Sequence, residues 1–332
     1  LKYRDIMKDL YQKQNGSAIV LFAISMSVLI AFSSFAFDLG MEFDKASKLQ
    51  NTLDSVALAA TQELPANDTL CQEWQNAQTV ANDYMTLNGI ENVDNLNITP
   101  VYQDGIIGNP ITGVTVEDTV PFQYHFARIF GLEQRSITRR ATAELQTVYG
   151  MSGLAPLCIT DSSMVNIQPG EERILKFGSQ VEEEDDDDGF FVSSGWFGIV
   201  QLDGTGANEY RDDFIYGCSS VINVGDILGM QDGNLSGPTE QAFNTRILGH
   251  EGCTYENHEA NCPRIVTIPV VTVLESKEVA TVGFASFFIQ EVTGTGNKSI
   301  INATYLDRDI VPGTVIAGPA GDFGVYVVKL TD

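Results

Sequence analysis

SAIVLFAISMSVLIAFSSFAF, residues 17–37, decides the architecture. With Gln14, Asn15 and Gly16 ahead of it, the stretch makes a charge-free run of 24 residues. About 20 apolar residues at 1.5 Å rise cross a hydrocarbon core of roughly 30 Å, so the run is long enough to span. A secretory signal has a shorter apolar core, typically about 7–15 residues, and ends in a small-x-small cleavage site. Here bulky Phe35 and Phe37 close the run and Asp38 follows. We therefore read a retained helix rather than a cleaved signal, with Ile19, Leu21, Phe22, Ile24, Val28, Leu29, Phe32 and Phe35 set against membrane lipid or neighbouring N-terminal helices. Lys2, Arg4, Lys8 and Lys13 precede the span. Such an excess of positive charge predicts a cytoplasmic N-terminus and a C-terminal part outside the membrane.

Beyond the span the pattern changes without a helix breaker. Leu39, Phe43, Ala46, Leu49, Leu53, Val56, Ala57, Ala60 and Leu64 recur at spacings of three and four, with charged and amide residues between them. That is one apolar stripe on a helix, and Pro65 is expected to stop it.

The chain has 332 residues, of which 19 are Lys or Arg and 44 Asp or Glu. Four of the basic and two of the acidic residues fall in the first sixteen, so the remainder carries 15 positive charges against 42 negative. A surface of that sign repels nucleic-acid phosphates and anionic lipid headgroups, so neither nucleic acid nor such lipid is expected as a ligand of the exterior part. At about 150 residues per domain, two exterior domains are expected.

In chain order, residues 71–87 read as a short helix with Trp74, Ala77, Val80, Ala81 and Tyr84 on one face, ended by Asn88-Gly89. Strands are expected at 98–102, 111–120 and 136–148, with a second short helix at 122–131. From Met151 the composition shifts to Gly, Ser, Asp and β-branched residues. Strand candidates fall at 173–177, 196–202, 264–274, 280–289, 299–306 and 324–330, and short helices at 207–216 and 238–248.

Several of these stretches resemble one family. Gly16-Ser17, Phe22-Ala23, Phe37-Asp38-Leu39-Gly40, Lys48-Leu49-Gln50-Asn51 and Asp54-Ser55-Val56-Ala57-Leu58-Ala59-Ala60 are similar to the N-terminal segment of TadG-like Flp pilus-assembly proteins. Thr52, Ser55 and Val56 depart from that family's usual alanines. Val114 to Val120, a helix begun by Pro121 and containing Phe126-Ala127-Arg128-Ile129-Phe130-Gly131, then Ile137 and Ala141-Thr142-Ala143, resemble the strand, helix and strand that follow in TadE/TadG-type proteins. The run 195–206, Tyr216-Gly217-Cys218-Ser219, Val224-Gly225-Asp226, 233–239, 262–266 and Val282-Gly283-Phe284-Ala285 resemble in order the exterior domain of many TadG-like chains. The resemblance implies a place in a pilus system among other pilus proteins, not a mechanism.

The cysteines are Cys71, Cys158, Cys218, Cys253 and Cys262. Outside the cytoplasm thiols oxidise, so Cys253 with Cys262 is the first expected disulfide and Cys158 with Cys218 the second, leaving Cys71 odd. His250, Cys253, His258 and Cys262 have nearly the spacing of a zinc knuckle, but a cystine would use the same sulfurs. The acidic run Glu182 to Asp188 offers Asp185, Asp186, Asp187 and Asp188 as a weak cation site, with Ca²⁺ the natural ion. It lacks the Glu that an EF-hand loop needs, since Gly195 stands there, and a solvated acidic loop is the plainer reading. Asp161-Ser162-Ser163-Met164-Val165 lacks the second Ser of a metal-dependent adhesion motif. Residues 204–208 read as a turn ahead of a helix. Nucleophile elbows, P-loops, dinucleotide fingerprints and zinc-protease motifs are missing, and three His give a base little support, so an enzyme is not expected. Asn67, Asn97, Asn234, Asn297 and Asn302 open glycosylation sequons.

The sequence thus predicts an α+β protein. It has a basic cytoplasmic N-terminus (1–16), a pilin-like membrane-spanning or filament-core helix (17–37), a helix extension with a small α+β head (38–150) and a second, mainly β exterior domain (151–332). Two roles stay open: a single-pass anchor of the cell membrane, which we favour, and a homo-oligomeric extracellular filament whose N-terminal helices bundle as its core. Ala18, Ser25, Ala31, Ser33 and Ser34 permit close helix contact in either. Prepilin processing wants Glu five residues after Gly, and Leu21 stands five after Gly16. Leu1 is not an initiator methionine, which leaves a removed leader or an unusual start open. A surface binding module with a cation site in the β domain is a further alternative.

Overall fold

The computed structural model describes residues 2–90, 95–178, 196–250, 252–259, 261–274, 277–294, 298–311 and 315–331. Contacts divide the chain into two compact units, residues 1–144 with 330–332, and residues 145–329. The division falls inside one long strand.

In the first unit, helix α1 runs unbroken from Lys2–Thr61 over 60 residues. It ends one turn before Pro65, in tightened turns at Gln62, Glu63 and Leu64. Helix α2, Gln72–Leu87, packs against it. The strands are β1 (Asn97–Tyr102), β2 (Ile111–Gln123) and β3 (Gln134–Met151). β2 pairs antiparallel with β1, from Asn97↔Glu117 to Tyr102↔Ile111, and with β3 from Gly113↔Glu144 to Gln123↔Gln134 without interruption. Leu49, Leu53, Val56, Ala57 and Ala60 of α1 are buried, as are Trp74, Ala77, Ala81 and Met85 of α2 and Val114, Val116, Ala141 and Ala143 of the strands. An amphipathic helix pair thus covers an antiparallel meander.

Three expectations need correction here. Tyr84 is exposed, because the buried row of α2 continues from Ala81 to Met85 at i+4. Leu39 and Phe43 are exposed at 46% and 75%, so the buried stripe of α1 begins at Ala46. The predicted helix at 122–131 shrinks to a 3₁₀ turn at Ala127–Phe130. Pro121 does not start that helix; it stays in β2 opposite Ser136, and Gly131 closes the turn at φ 84°. That left-handed value is cheap for glycine and strained for a side chain.

The second unit takes up the rest of β3, which pairs with β7 (Ile222–Asn223) and β13 (Val315–Ala317). Its main sheet has the order β4-β9-β10-β11-β5, made of β4 (Ile159–Thr160), β5 (Glu172–Lys176), β9 (Ile265–Val273), β10 (Glu278–Thr293) and β11 (Ile300–Leu306). β8 (Ile227–Asp232) joins β10, and β6 (Trp196–Val200) joins β8. β12 (Asp309–Ile310) pairs in parallel with β14 (Val325–Leu330). Helices α3 (Ala207–Tyr216) and α4 (Ser236–Arg246) pack together, with Tyr210 Oη 2.9 Å from Thr239 Oγ1. Leu157, Ile199, Phe214, Ile268, Phe284 and Phe287 stand in the core. The protein is α+β, with a long apolar helix and a β-rich C-terminal part.

The buried Asp213 on α3 carries a testable cost. Burial first, then the negative charges of Asp203, Glu209 and Asp212, push its carboxyl up to about 6, although the Asp203 amide donates to it at 3.4 Å. A carboxyl whose folded pKa is raised favours the fold when protonated, and that advantage is lost as pH rises through the folded value. Asp213→Asn should therefore raise the melting temperature of this unit by roughly 2–4 °C at pH 7.5, where about 1 kcal/mol moves a domain of this size by that amount. The gain should vanish at pH 4. A thermal-denaturation series across that range checks it.

Candidate functional site

The sequence-predicted span residues Ile19, Leu21, Phe22, Ile24, Val28, Leu29, Phe32 and Phe35 are all exposed. None enters the core of the first unit. An apolar helix packed inside a soluble domain would bury such residues; here the helix is long and apolar enough to cross a membrane, and the most apolar part of it is bare. The hydroxyls of Ser25 and Ser27 donate to Leu21 O and Ala23 O, both at 2.8 Å. These two hydroxyls are thus satisfied inside their own helix, as a hydrocarbon surrounding requires.

Where the apolar run ends, α1 grips the head with polar side chains. Asp38 is fully buried and accepts three amides: His125 N at 2.9 Å on Oδ1, and Phe126 N at 2.9 Å and Ala127 N at 2.7 Å on Oδ2. These are the amides that enter the 3₁₀ turn, and a carboxylate there meets several donors and a favourable dipole. Burial pulls the Asp38 carboxyl up, but the amides of Ala127, His125 and Phe126, helped by the His125 charge, outweigh it and hold the group below the usual carboxylate range. One turn on, Glu42 accepts from Tyr124 Oη at 3.0 Å and from Arg135 Nη1 at 2.9 Å. Lys45 donates to Pro121 O at 2.6 Å, Gln50 to Arg140 O at 2.9 Å and Thr61 to Ala143 O at 3.1 Å. Phe37 meets Phe126 edge to face, with ring centroids 5.7 Å apart.

Periodicity did not reveal this site, since Glu42 fell between the apolar residues of the stripe and Asp38 marked only the end of the span. The signal that marked it was the Phe37-Asp38-Leu39-Gly40 exit. The structure gives that motif a physical reason, because a carboxylate one residue past the span latches the 125–127 turn.

The other candidates are placed as follows. Cys253 and Cys262 are disulfide-bonded. The second expected bridge is corrected: Cys158 and Cys218 are buried free thiols. Cys218 is registered against Gly153 and Leu154 by backbone hydrogen bonds, while Cys158 N bonds Gly198 O, and each sulfur faces a carbonyl instead, Gly198 O at 3.8 Å and Ser220 O at 3.3 Å. His258 Nδ1 lies against Thr254 O and Tyr255 O. The Asp161 carboxylate accepts from Ser162 N in its own turn and from Thr272 Oγ1 on β9. The Glu182 to Asp188 run, with Asp185, Asp186, Asp187 and Asp188, lies outside the described residues, as does Asn297. Asp226 caps Asn223 and Asp232 pairs with Lys277. Among the described residues no three His, Cys, Asp or Glu side chains cluster as metal ligands.

Asn234 corrects the sequon reading: it is buried, and its amide donates to Phe177 O, so it cannot accept a glycan in the fold. It accepts instead from Lys176, a fully buried lysine that also bonds Ser299 O and Oγ at 2.9 and 2.7 Å, and whose amine burial pushes down to about 8. A lysine in a strand gives no sequence sign of such burial.

A folded head carried on an apolar N-terminal helix long enough to cross a membrane is the class of protein these features define. Residues 16–66 match the family model described as Flp pilus-assembly TadE/G-like. The match takes in the span, the Asp38 exit and the buried stripe, so the TadG-like resemblance read from the residues holds there. No curated protein and no solved structure matches the chain.

Proposed function

We propose that this protein is a non-enzymatic structural component of a Tad/Flp-type pilus system, held in the cell membrane by residues 17–37 and acting in pilus assembly or anchoring. Residues 1–16 stay cytoplasmic, and the acidic remainder stands outside, where it meets other pilus proteins. The observation that carries the reading is an apolar stretch whose side chains are exposed, followed at once by a carboxylate that ties the helix to a folded head. The family match over this same segment supports the pilus role. Burying the apolar surface against lipid contributes about 25 cal/mol per Å². The expected result is recovery of the full-length chain in the membrane fraction, resistant to alkaline carbonate, with the head digested by protease added from outside. Recovery as a regular polymer in material sheared from cells would replace the anchor by a filament subunit, whose helices shield one another.

A further inference from the structure

We infer that the apolar turn at residues 126–132 is a second membrane contact, which seats the head on the lipid surface where α1 emerges. The inference rests on the reading of residues 17–37 as a retained span. Ile129, Phe130 and Leu132 are exposed at 82%, 66% and 51%, close in sequence to the half-exposed Phe126. Isolated exposed apolar residues need no explanation, but a group of them on one turn does. What covers this group follows from its height. The hydrogen bonds from His125, Phe126 and Ala127 to Asp38, and the Phe37–Phe126 ring contact, hold the turn level with the last residues of the span. A helical side chain also leans toward the helix N-terminus, which here is the membrane side. At about 1.5 Å per residue, residues 17–37 fill a hydrocarbon core of roughly 30 Å, so Phe37 sits at the boundary and the turn sits beside it.

Charge points the same way. Between residues 38 and 144 the lysines and arginines are Lys45, Lys48, Arg128, Arg135, Arg139 and Arg140, and none falls between 49 and 127. Asp38, Glu42, Asp44 and Glu133 share these stretches, Lys48 pairs with Asp44 and Arg135 with Glu42, and Arg139 and Arg140 stand opposite Asp118 and Glu117 in the sheet, which leaves Arg128 as the basic group of the turn itself. The whole exterior is strongly negative, yet residues 123–132 carry Arg128 and no Asp or Glu, so the repulsion expected between the exterior and anionic headgroups does not arise from this turn. Basic groups close to a surface are attracted to anionic headgroups over about one Debye length, some 8 Å at physiological salt. Apolar side chains beside such groups bury about 5–10 Å into the boundary.

The test uses the full chain in vesicles of phosphatidylcholine and phosphatidylglycerol whose acyl chains are brominated near the headgroup. Trp74 and Trp196 are buried, so Phe130→Trp adds a readable emission over the wild-type background. At the interfacial depth of about 5–10 Å, that added emission should be blue-shifted and lose about half its intensity. Leu87→Trp, on the exposed side of α2, should be unquenched. Val28→Trp reports the span itself and should be quenched by bromines placed deep in the chains. An unquenched Phe130→Trp with a quenched Val28→Trp overturns the membrane contact and leaves the anchor standing. An unquenched Val28→Trp removes the anchor and the inference with it. A blue shift of Phe130→Trp that grows with protein concentration and ignores the bromines overturns the inference in favour of a second copy on this face.

Discussion

Replacement of Asp38 by Ala should loosen the head from its helix while leaving the span intact. The side chain gives one carboxylate to three amides at 2.7–2.9 Å, in a position with no exposure. Removal strands donors that face a buried helix surface, and a donor left unpaired costs more than the bond gained in making it. The first unit should melt roughly 6–12 °C lower, given the few degrees per kcal/mol of a domain this size and the strength of charge-assisted bonds. Amide exchange at Phe126 and Ala127 should rise by at least about tenfold, because those bonds close the turn locally. Asp38→Asn should recover part of the loss: its oxygen still accepts, but its amide group opposes a donor. The pH dependence has a definite sign. A carboxyl held below its ordinary value of 3.8 contributes fully above that value, and its contribution fades as pH falls through the lower folded value. The gap between wild type and Asp38→Ala should therefore persist above the ordinary carboxylate value and close in acid. Unchanged exchange at Phe126 and Ala127 would show that the latch does not hold the turn.

How much of this was written in the chain depends on how local the cause is. The long helix and its buried stripe from Ala46 onward were legible because 3.6-residue periodicity needs no partner to be read. β9, β10 and β11 were legible as runs of β-branched and aromatic residues, although β10 extends past both expected ends, from Glu278 to Thr293. β4, β7, β12 and β13 were not, since two or three residues carry no period and pair only because longer strands offer them an edge. Pro121 misled for a related reason. Its preference for a first helical turn is local, whereas its place in β2 is imposed by the unbroken register with β3. Leu39 and Phe43 fit the stripe by spacing, yet the face that meets the head near the exit is the polar one through Asp38, Glu42 and Lys45. The buried ends of Lys176 and Asn234 and the unpaired sulfurs of Cys158 and Cys218 depend on contacts far apart in sequence, which composition and spacing do not contain.

Two aspartates in the span should abolish membrane retention where one leaves it partial. Leu, Ile, Phe and Val each contribute about −0.3 to −0.6 kcal/mol to insertion at the helix centre, so the eleven such residues from Ile19 to Phe37 supply about −3 to −7 kcal/mol. An Asp there costs about 2.5–3.5 kcal/mol and also removes the residue it replaces. Val28→Asp alone should thus leave a mixed population. Ile24→Asp with Val28→Asp places both charges on one helix face, one turn apart, and shifts the balance by about 6–8 kcal/mol, at or beyond the whole favourable sum. The double variant should move to the soluble fraction, and Val28→Asp should divide between the fractions. Leu87→Asp, at an exposed site on α2, should stay in the membrane fraction. Normal carbonate-resistant retention of the double variant would mean that residues 17–37 are not what holds the chain, and a filament built on the same helices would fail with it, since two buried carboxylates cost as much among packed helices as in lipid.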